Sequence, residues 1–88
     1  MIKLTLDQKA VLLKALGHPK RLKILQLLKA GPVTLDGLTR ALEIKKPNAS
    51  QHLSAMRLTG IVTMRRQNRA AIYELSPHLP KEIVKLLI

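Results

Sequence analysis

Two short stretches of this 88-residue chain hold the side chains best suited to chemistry: Lys45 to Ser54, and Arg65-Arg66-Gln67-Asn68-Arg69. Amides such as those of Asn48 and Gln51 can pair bidentately with an adenine edge, and hydroxyls such as those of Ser50 and Ser54 can bond to either base type. Gln51 is the leading base-reading candidate. Lys45, Lys46 and Arg57, with Arg65, Arg66 and Arg69, carry the charge that grips phosphate. Plainer roles stand beside these: a solvated basic surface, a helix-start Asn bonding its own backbone, and exposed hydroxyls. His52 lies about 60° round a helix from Ala49, so it either packs at the core edge with one ring nitrogen bonded internally or touches phosphate. Leu58, on the outward side of the same helix, either meets a thymine methyl or packs against a neighbouring element. His18 reads as a turn residue with a backbone partner, and His78 as a first-turn surface residue or one paired with a second copy.

Catalysis is not expected. There is no Cys, there are only five carboxylates, and neither a Gly-rich phosphate loop nor a His and acid at catalytic spacing occurs. Thiolate metal sites and disulfides are excluded as well.

Charge points to a polyanion. Sixteen Lys and Arg face five Asp and Glu, a net charge of +11. Residues 40 to 69 hold seven basic side chains and one acidic one, whereas residues 70 to 88 balance. The chain is 47% apolar, too much for a disordered basic tail, yet no apolar run approaches the ~18 residues of a membrane span. With no targeting segment at its start, cytoplasmic residence without a membrane partner is the expectation. Tyr73 is the only aromatic, so an aliphatic core in one domain over residues 1 to 88 is expected, and self-association would help so small a core.

Those side chains need positioning, and the spacing of apolar and turn residues suggests how. Asp7 is expected to cap a first helix with Ala10, Leu12, Leu13 and Leu16 as its apolar residues, ending at Gly17. Pro19 opens a second, with Leu22, Leu25 and Leu28 widened by Ile24 and Leu27, before Gly31 and Pro32 stop it. Thr34 caps a third through Leu35, Leu38 and Leu42. After a polar turn from Glu43 to Lys46, Pro47 opens a fourth that runs to Thr59, with Gly60 as its stop. The four glycines read as punctuation between elements. Beyond Gly60 the period drops to two, predicting a hairpin with Asn68 at its tip and a return strand over Ala71 to Leu75. Tyr73 would seal it against the core. Ser76 is expected to cap a last helix, with Pro77 or Pro80 in its first turn.

The fold class that follows is mainly α with a β-hairpin wing (α+β), ordered helix, helix, helix, helix, strand, strand, helix: a winged helix-turn-helix whose fourth helix would enter a major groove. On that helix Ala49, Leu53 and Met56 share one face, and Asn48, Gln51, Ser54, Ala55 and Leu58 turn the other way.

Three blocks then carry a family resemblance: Ala15 to Leu25, Pro47 to Leu53, and Arg57 through Gly60-Ile61-Val62, continuing from Arg65 to Leu75. Over roughly residues 10 to 76 the chain resembles the ArsR/SmtB family of bacterial and archaeal repressors. The resemblance implies a homodimer on a pseudo-palindromic operator, joined through its first and last helices and commonly released by an effector, often a metal ion. Where one family metal site has a Cys-x-Cys pair, this sequence has Thr34 and Asp36. Where another has Asp-x-His and a later His, it has Ser76 and His78 with no second His following. No metal or other cofactor is therefore expected, and the effector stays unknown.

Leu4, Leu6, Val11, Leu12, Ile83, Leu86 and Leu87, with Ile88, exceed what one short helix pair needs; they form either a dimer seam or the rest of the monomer core. The function expected is a sequence-specific, double-stranded-DNA-binding regulator, a homodimeric repressor of the ArsR type. The alternative is an architectural protein that coats or bends DNA with little sequence preference.

Overall fold

The computed structural model describes residues 4–87, without the side chains of Glu82 and Leu86; of the expected seam, Leu86's side chain and Ile88 therefore lie outside the described residues. The element order is α1 (Leu6–Ala15), α2 (Pro19–Lys29), β1 (Val33–Thr34), α3 (Leu35–Leu42), α4 (Lys46–Leu58), β2 (Val62–Gln67), β3 (Ala70–Leu75) and α5 (Lys81–Leu87). No described helix is long and apolar enough to cross a membrane.

Local chemistry explains most boundaries. Thr5, rather than Asp7, caps α1: its hydroxyl accepts from the Gln8 amide while the Gln8 side chain accepts from the Thr5 amide. This reciprocal box satisfies two amides, and Asp7 falls inside the first turn, where its charge suits the helix dipole. Leu13, one of the apolar residues that mark the helix in the sequence, stays about half exposed, because Leu12, Ala15 and Leu16 define the buried side. His18 caps α2 through Nδ1, which accepts from the Lys20 amide at 3.1 Å, and Pro19 follows in the first turn, where a missing N–H costs nothing.

One strand had no forecast. Val33 and Thr34 pair antiparallel with Tyr73 and Ile72, so β3 is the centre of a three-stranded sheet ordered β1-β3-β2. Two residues are too few to show a period. Thr34 also caps α3, its hydroxyl accepting from the Gly37 amide at 3.0 Å. Gly37 is therefore not punctuation: it sits inside α3, where a Cβ would come within 3.0 Å of Val33 Cγ1 and 3.2 Å of Thr34 Oγ1.

Between α3 and α4 the chain reverses at Glu43, which takes a left-handed conformation with φ 55°. Ile44 in this turn packs against the core, so the turn is less polar than its composition suggests. The core joins Ile24 and Leu25 of α2, Leu38 and Leu42 of α3, Leu53 and Met56 of α4, and Ile61, Val62 and Tyr73 from the sheet side. Ser76 does not cap α5: its hydroxyl accepts from the His78 amide in a separate turn, Leu79 buries itself, and the helix begins after Pro80.

Candidate nucleic-acid interface

Helix α4 has a dry side and a wet side. Ala49, Leu53 and Met56 are 0% exposed. Asn48, Gln51 and Ser54 are exposed on the opposite side, while Ser50 and Ala55 are half-buried at its margins. Leu58, for which two roles were open, is 88% exposed and continues the outward side with an apolar end. The surface is made of small and hydrogen-bonding side chains.

Cationic groups border it. No side chain caps α4, and its first turn carries Lys46 next to Lys45 with no acid. Two cations at the positive end of a helix oppose its dipole, an arrangement that favours an external anion. Following α4 along the chain, β2 and β3 pair from Val62↔Leu75 to Gln67↔Ala70 around a two-residue turn. Asn68 and Arg69 there have φ of 51° and 69°. Such turns suit the twist of the strands, and glycine is the usual second residue. Arginine at that place costs about 1–2 kcal/mol of backbone strain, which its charge at the tip can offset only through a partner. Arg65 is partly engaged within the hairpin, donating to Gln67 Oε1 at 2.8 Å and lying 3.7 Å from Glu74 Oε1. Arg57, Arg66 and Arg69 are exposed.

His52 is tied inward. Its Nδ1 accepts from Arg21 Nε at 3.2 Å, and Arg21 Nη1 donates to the Ala15 carbonyl at 2.9 Å. The His18 ring lies beside it, centroids 4.5 Å apart and tilted by 56°. Lys20 Nζ donates to the Leu42 carbonyl at 2.9 Å. Helix α2 thus braces both the end of α3 and the middle of α4. Arg21 and Lys20 were not singled out from the sequence, because a contact between positions 31 residues apart leaves no local pattern. Burial, then the nearby His18, Arg21 and Lys20, holds the His52 pKa below the ordinary 6.5.

Two of the positions matching the family's metal ligands, Thr34 and Asp36, are engaged within the chain. Thr34 caps α3, Asp36 Oδ1 lies 3.5 Å from Lys46 Nζ, and His78 is exposed next to Ser76. Among the described residues no three His, Asp or Glu side chains gather where a metal could be held. Of the expected seam, Leu6 and Val11 are exposed, Leu4, Ile83 and Leu87 are half-buried, and Leu12 is only 7% exposed, already part of the core of the single chain.

A rigid helix offered outward beside a cationic hairpin, with a second helix bracing it across a tight turn, is the design of winged helix-turn-helix regulators. Comparison with known proteins agrees. Residues 18–64 match the family described as "Bacterial regulatory protein, arsR family". The HTH-type transcriptional regulator YgaV of Escherichia coli is 38% identical over 82 residues, covering 92% of this chain and 83% of that protein. The structure of HlyU from Vibrio cholerae superposes with a TM-score of 0.86 at 33% identity, covering 92% of this chain and 88% of that one. A homodimeric winged helix-turn-helix DNA-binding domain from Mycobacterium bovis gives 0.79 at 28% identity, over 99% and 83% of the two chains. The chain belongs to the arsR family of bacterial regulatory proteins, and it is a transcriptional regulator rather than an enzyme.

Two expected outcomes follow from this geometry. Arg69→Gly relieves the left-handed strain and raises stability by about 0.5–1 kcal/mol in denaturant unfolding, while lowering affinity for duplex DNA. Loss of stability would show that the arginine is held by contacts within the chain. The second concerns pH. Because the fold depresses the His52 pKa, the unfolded chain binds more protons just below pH 6.5, so stability is complete above that value and declines as pH falls through it, levelling off below the folded value. His52→Gln, whose amide oxygen can still accept from Arg21, should show a smaller acid decline in thermal unfolding. An unaltered decline would assign it to other groups.

Proposed function

We propose that the chain acts as a homodimeric, sequence-specific repressor that binds a pseudo-palindromic operator in double-stranded DNA and blocks a promoter by occupying it. The observation that carries this reading is the rotational setting of α4: with Ala49, Leu53 and Met56 sealed in the core, Asn48, Gln51 and Ser54 have no partner but solvent or a groove. Asn48, Ser50, Gln51 and Ser54 are assigned to base edges, and Lys45, Lys46 and Arg57 to phosphates. Arg65, Arg66, Gln67, Asn68 and Arg69 form the wing that follows the backbone beyond the groove. His52 serves chiefly from behind, as the anchor of α4 on Arg21.

Dimerisation is assigned to α1 and α5. Leu6 is 83% exposed and Val11 55% exposed, more apolar surface on one small helix than solvent favours, and Leu4, Ile83 and Leu87 are left half-buried. The homodimeric relative from Mycobacterium bovis supports dimerisation as such. A two-fold dimer would set two copies of α4 in successive major grooves, roughly 34 Å apart. The whole chain then works as one DNA-binding unit in the cytoplasm, where the DNA is. A coating role, which the net charge alone would also allow, predicts a ratio near one between affinities for operator and random duplex.

Selection from a random duplex pool should return one symmetric site. On it, Gln51→Ala costs about 1–3 kcal/mol and leaves random-duplex binding nearly unchanged, whereas Arg65→Ala weakens both alike. The same pattern of loss in both variants would remove the base-reading assignment. In sedimentation equilibrium, Val11→Glu should yield the mass of a single chain; a dimer mass retained by the folded variant would place the seam elsewhere.

A further inference from the structure

A cleft of about 140 Å³ lies where α3, α4 and the wing converge, lined by Thr34, Leu35, Asp36 and Lys46 and by Arg66, Arg69, Ala70 and Ala71 across from them. Three cations from three separate places border it: Lys46 in the first turn of α4, Arg66 on β2 and Arg69 at the hairpin tip. Small side chains at positions 70 and 71 leave its floor open. One acid enters the cleft, Asp36, from the first turn of α3, and its Oδ1 lies 3.5 Å from Lys46 Nζ. The side chains of that pair are 74% and 63% exposed respectively, so water screens the contact and it is easily opened.

We propose that this cleft seats one backbone phosphate of the bound duplex, and that Asp36 is its resident competitor, an internal anion that occupies Lys46 until a phosphate displaces it. The inference rests on the DNA-binding reading above and adds to it a carboxylate that sets affinity. A phosphate suits the place better than a carboxylate does. It can accept from Lys46, Arg66 and Arg69 together, and bidentate arginine contacts to phosphate are the stronger kind. Asp36 reaches only Lys46, and its weak hold makes the exchange inexpensive. Its presence keeps Lys46 from contributing fully to the affinity of the complex, which leaves the regulator easier to release from DNA. No Asp or Glu other than Asp36 lines the cleft. Glu74, the nearest acid on the wing, is paired with Arg65 instead.

The test uses a random-sequence duplex, because a phosphate contact carries no sequence information. Asp36→Asn should raise affinity about three- to ten-fold and steepen the dependence of log affinity on log salt by about 0.9, one additional phosphate neutralised. In a Lys46→Gln background the same substitution should raise affinity less than about two-fold, since the cation that Asp36 occupies is gone. Glu43→Gln, a charge change at the far end of α3 outside the cleft, should have a smaller effect than Asp36→Asn. No gain from Asp36→Asn, or equal gains with and without Lys46, would overturn the proposal while leaving DNA binding intact. A wild-type chain that binds no duplex even at low salt would instead overturn the reading on which it rests.

Discussion

Helix α4 has a single rotational setting because three of its residues, Ala49, Leu53 and Met56, are closed off from water against α2, α3 and the strand side of the core. Turning the helix by even one residue, 100°, would bring polar side chains into an aliphatic interior that has no partners for them, and such burial costs several kcal/mol per group. Every property of the outer surface inherits from this. Asn48, Gln51 and Ser54 face outward as the complement of what is buried. The braces from α2 reinforce the setting. Arg21 holds His52 on α4 and Lys20 holds the end of α3, so the two helices of the motif are tied to the same support.

Charge is arranged against local stability. Lys45 and Lys46 stand at the helix end that repels them, and Arg69 occupies a backbone conformation that glycine adopts at lower cost. Each departure is small enough for the core to absorb. Together they concentrate positive potential on the side of the molecule that carries the exposed ridge of α4. A fold optimised only for its own stability would have an acid at the start of α4 and Gly at the hairpin tip. An acid does reach Lys46, but it comes from the neighbouring helix, as Asp36, through a solvent-exposed contact.

How far the sequence could be read depended on the range of the interactions involved. Helix limits near Pro19, Thr34 and Gly60 were legible because turn and cap chemistry acts within a few residues. The faces of α4 were legible because a helix repeats regularly. Asp7 was mistaken for a cap because an acid in the first turn and an acid at the cap look alike in sequence, and only the Thr5–Gln8 reciprocity separates them. Ser76 was mistaken in a similar way, since its hydroxyl closes a turn several residues ahead of the helix. Strand β1 was invisible because its partners, Tyr73 and Ile72, lie far along the chain and its two residues show no alternation. The Arg21–His52 tie and the cleft shared by Asp36, Lys46, Arg66 and Arg69 are products of tertiary structure, brought together only when α3, α4 and the hairpin pack.

The two parts of the interface differ in what holds them, and that difference bears on how the family varies. Side chains on the ridge of α4 can be exchanged without touching the core, provided the positions at 49, 53 and 56 keep their volume, so on the proposed reading a new target sequence costs the scaffold little. The cationic flanks sit on turns and on a hairpin whose register is set by β3, the strand that also pairs with β1 and contributes Tyr73 to the core. Charge can be added or removed there by single substitutions that act alike on all DNA sequences. On the proposed assignment, specificity and overall affinity are set at separate positions.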